Sequence, residues 1–193
     1  IIENLSFEIQ ANETIVLKGP SGSGKTVLLQ ILGGIHELDK GELYFDGVPI
    51  GNYQREPFYQ AVGVNFATNQ IFEGSIRENI LLGRKVDESL LTETIDVLRL
   101  NTYLNTQPYG LESVVDSGGR RLPRSVIQKI QLARIIINKP KLLLMENPLQ
   151  FVEESERSAI IDYLMAKERN WTVVVVSDHP HWTDCCSRVL EMK

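Results

Sequence analysis

Residues 19–26 read Gly19-Pro20-Ser21-Gly22-Ser23-Gly24-Lys25-Thr26. They fit the pattern G-x-x-x-x-G-K-[ST] at every position. The apolar stretch Thr14–Leu17 before them predicts a strand. Val27–Leu32 after them predicts a buried helix, ended by Gly33-Gly34. A glycine-rich turn between a strand and a helix lets successive N–H groups point inward at phosphate oxygens, and the helix adds its positive end. In this pattern Lys25 is a point charge for the outer phosphates, and the Thr26 hydroxyl is a Mg²⁺ ligand. A nucleoside triphosphate with Mg²⁺ is therefore the expected ligand. The loop by itself says nothing about hydrolysis.

Outward from the loop, Leu5, Phe7 and Ile9 alternate with Ser6, Glu8 and Gln10, which predicts a half-buried strand. GELYFDGVPI (41–50) reads as a hairpin turning at Asp46-Gly47. A strand is expected over 61–66, and helical periodicity runs through 76–105 (Ile80, Leu81, Leu90, Leu91, Ile95, Leu98). A Gly- and Arg-rich loop (117–124) precedes a helix over Ser125–Ile137, which Lys139-Pro140 ends. Then follow a strand (Leu142–Met145), a helix (Glu153–Glu168), a fully buried strand (Thr172–Val176), a short helix (His181–Cys186) and a last strand (Arg188–Met192). Antiparallel pieces come first, and buried strands alternating with helices come later. That order predicts an α/β core with an antiparallel β patch and a helical insertion.

The chain has 193 residues, of which 42% are hydrophobic and 23% charged, so a single globular domain is expected over 1–193. Twenty Lys+Arg against 25 Asp+Glu give a net charge of −5, which argues against nucleic-acid binding. The two cysteines, Cys185 and Cys186, are adjacent and imply no disulfide framework, so a reducing compartment is expected. No apolar run approaches the ~20 residues of a membrane span. The chain opens on a patterned segment without Met or a basic region, and we expect it to be a piece trimmed at its start. Any membrane role would then come through a partner or a covalent neighbour.

Four stretches resemble the nucleotide-binding domain of ABC transporters, and together they span nearly the whole chain. ENLSFEIQANETIVLKGPSGSGKT (3–26) resembles that family's strands before its Walker A loop, and GELYFDGVPI its β-subdomain hairpin. IFEGSIRENI (71–80) resembles the segment after the Q-loop in exporter-type members. IQLARIIINKPKLLLMENP (130–148) resembles the helix after the signature motif and the Walker B strand. A GTPase reading fails because Asn138-Lys139-Pro140-Lys141 lacks the Asp of the base-reading motif. The resemblance implies a RecA-like P-loop core, an antiparallel β subdomain and a helical subdomain over about 68–135. It further implies a second nucleotide-binding domain as partner, in a homo- or heterodimer around two ATP molecules, and a transmembrane domain driven from the cytoplasmic face. The chain begins downstream of the position where the family stacks an aromatic residue on adenine.

Laid against the family pattern without gaps, the hydrolytic positions depart from it. The Walker B carboxylate falls on Glu146, and the catalytic Glu on Asn147. Glu146 still offers Mg²⁺ an oxygen, on a stem one methylene longer. Asn147 can hydrogen-bond a water but cannot act as its base. The signature falls on Leu122-Pro123-Arg124-Ser125-Val126, where Arg124 puts bulk at a position of close backbone approach. The Q-loop Gln falls on Ala67, and the switch His on Asp178 with His179 one residue later. The exporter-type Glu before the signature falls on Ser117, and 150–153 read Gln-Phe-Val-Glu. The expectation is a degenerate domain that holds ATP and hydrolyses it weakly or not at all. Two alternatives are an active ATPase using Glu146, Asn147 and His179 as substitutes, and an interaction module without nucleotide function.

Other clusters read plainly. His179, His181, Cys185 and Cys186 fit no standard zinc spacing and are expected to form a loop with a small buried Cys pair. Gly118-Gly119-Arg120-Arg121 reads as a solvated loop. Trp171 and Trp182 read as packing residues, and Glu153-Glu154-Ser155-Glu156 as an acidic first helical turn.

Overall fold

A computed structural model of the chain describes residue 2 and residues 5–66 and 70–192. The first elements are β1 (Thr14–Lys18), α1 (Lys25–Leu32), the hairpin β2 (Tyr44–Phe45) and β3 (Val48–Pro49), α2 (Arg55–Ala61) and β4 (Val62–Asn65). Next come β5 (Gly74–Ser75), α3 (Ile76–Leu81), α4 (Glu88–Val97), α5 (Asn101–Leu104), β6 (Val114–Val115) and α6 (Arg124–Ile136). The chain closes with β7 (Leu142–Glu146), α7 (Glu154–Met165), β8 (Thr172–Val176), α8 (Pro180–Cys185) and β9 (Arg188–Glu191).

Five strands form one all-parallel sheet in the order β4-β7-β8-β1-β9. Its strands are short continuous apolar runs because both faces are covered. Val16, Leu143, Met145, Val173 and Val175 face a core shared with α3, α4, α6, α7 and Trp182. Ile15, Leu17, Leu144, Val174 and Val176 face the other core, with Leu28, Leu29 and Leu32 of α1 and Phe58 of α2. Each fully buried large side chain contributes about 1.5–3 kcal/mol relative to exposure. The α/β core with its parallel sheet matches the expected fold class. Among the described residues no helix is long and apolar enough to cross a membrane.

Several expectations change. Residues 5–10 form no strand: Phe7 and Ile9 pack on the second core, but no ladder partner lies beside them among the described residues. The alternation there reports a one-sided apolar strip, which is necessary for a strand and not sufficient. The periodicity over 76–105 resolves into three helices, because the backbone turns left-handed at Leu82 and Gly83 and again at Arg99. The helix expected to Glu168 stops at Met165, where the Trp171 indole Nε1 donates to the Leu164 carbonyl at 2.8 Å and takes a last-turn acceptor. Cys185 and Cys186 are half-buried rather than buried, and they sit on and just after a helix rather than in a loop.

Ser75 and Glu78 form a reciprocal capping box at the start of α3. Arg77 pairs with Glu88 and Glu112. The fully buried Asn79 side chain fills both donor and both acceptor positions: Nδ2 donates to the Phe72 and Ser75 carbonyls, and Oδ1 accepts from Phe72 N–H and Arg134.

Candidate functional site

The loop 19–26 leaves the carboxyl end of β1, an interior strand between β8 and β9, and open parallel sheets place their ligand crevices outside the carboxyl ends of their strands. Gly22 (φ 84) and Gly24 (φ 89) take left-handed backbone that only glycine adopts without cost. Gly24 is the N-cap of α1. Among the described residues no side chain caps that helix, and no acid sits in its first turn, so its amides and dipole face the loop. The Lys25 ammonium folds over the loop and donates to the Gly19 and Pro20 carbonyls, both at 2.8 Å. The Ser23 hydroxyl is buried and has no partner among the described residues.

Thr26 Oγ1 donates to Glu146 Oε1 at 2.5 Å, joining the start of α1 to the end of β7. Thus the hydroxyl and the carboxylate expected to share a magnesium ion do meet. Neighbouring ligands of an octahedral Mg²⁺ with bonds of about 2.0–2.1 Å lie about 2.9 Å apart. These two oxygens need only separate by a fraction of an ångström to hold the ion, so the longer Glu stem does not misplace the carboxylate. With a buried Ser23 hydroxyl in the same loop that has no partner among the described residues, the residues present fit a magnesium–triphosphate group.

A cleft of about 340 Å³ runs from Glu146 past Asn147, Asn65 and Gln128 to Arg124 and Phe151. Asn147 has left-handed backbone (φ 45), which asparagine tolerates better than most residues. It is exposed, its N–H donates to the Val176 carbonyl, and its own carbonyl accepts from Gln128 Nε2 at 3.1 Å. Gln128 Oε1 in turn accepts from Phe151 N–H, and the Arg124 guanidinium stacks over the Phe151 ring at 5.0 Å. So Arg124, expected from the sequence to stand in the signature, lies on the same cleft as Glu146 and Asn147. Leu122 and Val126 are core residues, Ser125 is half-buried, and Pro123 is the N-cap of α6 without a side-chain oxygen to offer. Ala67 lies outside the described residues. Gln128 and the buried Asn65, whose Nδ2 has no partner among the described residues, stand in no motif, and sequence reasoning missed them; Phe151 was read only as one of 150–153, without its place under Arg124.

Asp178 is exposed. His179 caps α8: its Nδ1 accepts from His181 N–H at 3.3 Å, while Nε2 lies 3.0 Å from Glu154 Oε2. That network assigns the proton to Nε2. The His179 hydrogen bond, helped by Ser158 and Arg157, holds the Glu154 carboxyl below the usual carboxylate range. A depressed carboxyl contributes stability above its unfolded pKa and loses it as the pH falls through the folded value. The α7–α8 contact is therefore expected to weaken in acid. His179→Ala should return Glu154 toward the ordinary carboxylate range in an NMR titration; an unchanged midpoint would refute the pair.

The structure also brings together Asp162 of α7 with His181 and Cys185 of α8. The i, i+4 spacing of His181 and Cys185 was a visible signal for one helix face. Asp162, on another helix, was not visible.

A family model described as "ABC transporter" matches residues 2–150. Over 178 residues the chain is 30% identical to the "Mycobactin import ATP-binding/permease protein IrtB" of Mycolicibacterium smegmatis, covering 92% of this chain and 31% of that protein. It is 27% identical to the "Beta-(1-->2)glucan export ATP-binding/permease protein NdvA" of Rhizobium meliloti, covering 91% of this chain and 30% of that one. The chain thus spans about a third of the length of these relatives. Among solved structures, "Structure of a bacterial Atm1-family ABC exporter with ATP bound" superposes on 98% of this chain and 34% of its own, with a TM-score of 0.91 at 20% identity. That likeness carries the fold.

Proposed function

Because this chain belongs to the ABC transporter family, we propose that it is the ATP-binding domain of an exporter-type transporter and binds Mg-ATP through Gly19–Thr26, with Thr26 and Glu146 as the magnesium ligands. It works at the cytoplasmic face of a membrane and couples nucleotide-dependent dimerisation with a second such domain to a transmembrane domain. Hydrolysis is weak or absent. The observation that carries the reading is the meeting of Thr26 and Glu146 at 2.5 Å beside a loop whose Ser23 hydroxyl is left unpaired.

The weak hydrolysis follows from what stands at the cleft. Phosphoryl transfer depends on positioning and electrostatics, and each lost part costs orders of magnitude. Asn147 has no basicity for the attacking water. Arg124 is engaged with Phe151, and at the expected signature position it brings a bulky charged side chain where the family has a glycine. His179 is committed to Glu154 and to the cap of α8, which weakens the alternative in which it substitutes for the switch His.

Thermal unfolding with and without Mg-ATP tests the reading. At a hundredfold excess over Kd, binding adds about 2.7 kcal/mol. For a domain of this size that is a rise of about 5–10 °C in Tm. Lys25→Ala is expected to abolish it. The absence of any shift at millimolar nucleotide would overturn nucleotide binding and favour a nucleotide-independent interaction module. Phosphate release is expected to stay far below the ~1 s⁻¹ at the low end of ordinary enzymes; a Lys25-dependent rate near that value would make the domain an active ATPase.

A further inference from the structure

We propose that Asp162, His181 and Cys185 form a binding site for a thiophilic divalent cation, Zn²⁺ being the best fit, that ties α8 to α7. The three ligand atoms form a closed triangle: His181 Nε2 is 2.8 Å from Asp162 Oδ1, Cys185 Sγ is 3.5 Å from the same oxygen, and Sγ is 3.7 Å from the same Nε2. Tetrahedral zinc with bonds of about 2.0 Å to oxygen, 2.0–2.1 Å to nitrogen and 2.3 Å to sulfur has ligand–ligand edges of about 3.3–3.6 Å. Both sulfur edges already match. The Asp–His edge must open by about half an ångström, the change expected when a shared proton gives way to a metal ion.

The obvious competing chemistry is a Cys–His–Asp nucleophilic triad, and the geometry excludes it. A relay uses the two opposite ring nitrogens, one toward the nucleophile and one toward the carboxylate. Here the carboxylate and the thiol both meet Nε2, and the thiol also meets the carboxylate oxygen Oδ1. Three different donor types aimed at one point is an arrangement for a cation. The donor set of thiolate, imidazole and carboxylate favours zinc over magnesium. Asp162 is exposed and the other two are half-buried, so the ion has an entry path and room for water as a fourth ligand. The neighbouring sulfur is not part of the set: the Cys186 thiol donates to the Thr183 carbonyl at 3.2 Å. Because α8 starts immediately after Asp178-His179, a metal here fixes the helix that follows the expected switch position.

Cobalt(II) serves as the spectroscopic probe, titrated into the reduced protein in the presence of millimolar Mg²⁺, which occupies the Thr26–Glu146 pair. One equivalent is expected to bind with a thiolate-to-cobalt charge-transfer band in the near ultraviolet and with visible bands of four-coordinate intensity, both erased by Zn²⁺. Cys185→Ser is expected to remove the charge-transfer band. His181→Gln should weaken cobalt binding by well over the roughly tenfold that loss of even an outer-sphere partner costs, and Cys186→Ser should change neither. Absence of the charge-transfer band, its survival in Cys185→Ser, or its loss in Cys186→Ser would each overturn the site and leave an ordinary His–Asp hydrogen bond between two helices.

Discussion

Arg134→Ala is expected to lower the stability of the domain by about 3–4 kcal/mol. The side chain is 9% exposed and leaves α6 for the end of α3. Nε donates to the Asn79 carbonyl at 2.5 Å, one Nη to the Gln70 carbonyl at 2.7 Å, and the other Nη to Asn79 Oδ1 at 2.8 Å. The first of these caps a last-turn carbonyl of α3, which has no partner within the helix. Arg84 takes the next two carbonyls, of Ile80 and Leu81. A hydrogen bond to a charged donor is worth about 1.5–3 kcal/mol, and truncation also strands buried acceptors. Against this stands the cost of the buried charge itself: desolvation, then the nearby Arg84, push the Arg134 guanidinium below its usual range. The bonds win because three are made and all are short. With a urea m-value near 2 kcal/mol/M, the midpoint should fall by about 1.5–2 M. Arg134→Lys should recover less than half of the loss, since an ammonium lacks the planar fork that meets three acceptors. A loss below about 1 kcal/mol in Arg134→Ala would show that desolvation cancels the network.

This network also shows where sequence reading succeeds and where it stops. The stretch 71–80 was recognisable as a string, whereas its capping box was not read from the sequence and came with the fold. The Asn79–Arg134 clamp joins residues far apart in sequence, and nothing in either segment announces the other. The same division runs through the fold. Leu142–Met145 and Thr172–Val176 were legible because strands buried on both faces are continuous apolar runs. The hairpin was legible because Asp46 and Gly47 both take positive φ, 49 and 76, as a tight primed turn requires. Helix α2 was missed: it carries Pro57 in its first turn, where proline is tolerated, and it buries a single residue, Phe58. The break at Arg99 was illegible because a left-handed arginine has no signature in residue type, whereas the break at Gly83 had one. At the site, the loop 19–26 and its partner Glu146 could be placed from motif and register. Phe151 under Arg124 and Asp162 beside His181 required the fold.

Gly19→Ala is expected to be far more damaging than Gly22→Ala, although both add one methyl group to the same loop. A Cβ on Gly19 would lie 2.5 Å from the Met192 carbonyl oxygen and 2.9 Å from Ser23 Oγ. On Gly22 it would meet nothing within 4 Å. Gly22→Ala therefore pays only for left-handed backbone, about 1–2 kcal/mol. Gly19→Ala adds a collision with main chain that cannot swing aside. Met192 N–H donates to the Lys18 carbonyl at 2.8 Å, and this bond closes the β1–β9 ladder beside the loop. Either that bond opens or the loop moves away from Lys25 and Thr26. The expected loss is about 2–4 kcal/mol in urea unfolding, together with loss of the Mg-ATP-induced rise in Tm. Equal losses for the two variants would mean that backbone strain, not the wall formed by the end of β9, holds the loop in shape. The wall is a carbonyl oxygen rather than a thioether, so adding Met192→Ala to Gly19→Ala is expected to restore nothing. Restoration of stability in that double variant would place the collision in the Met192 side chain instead.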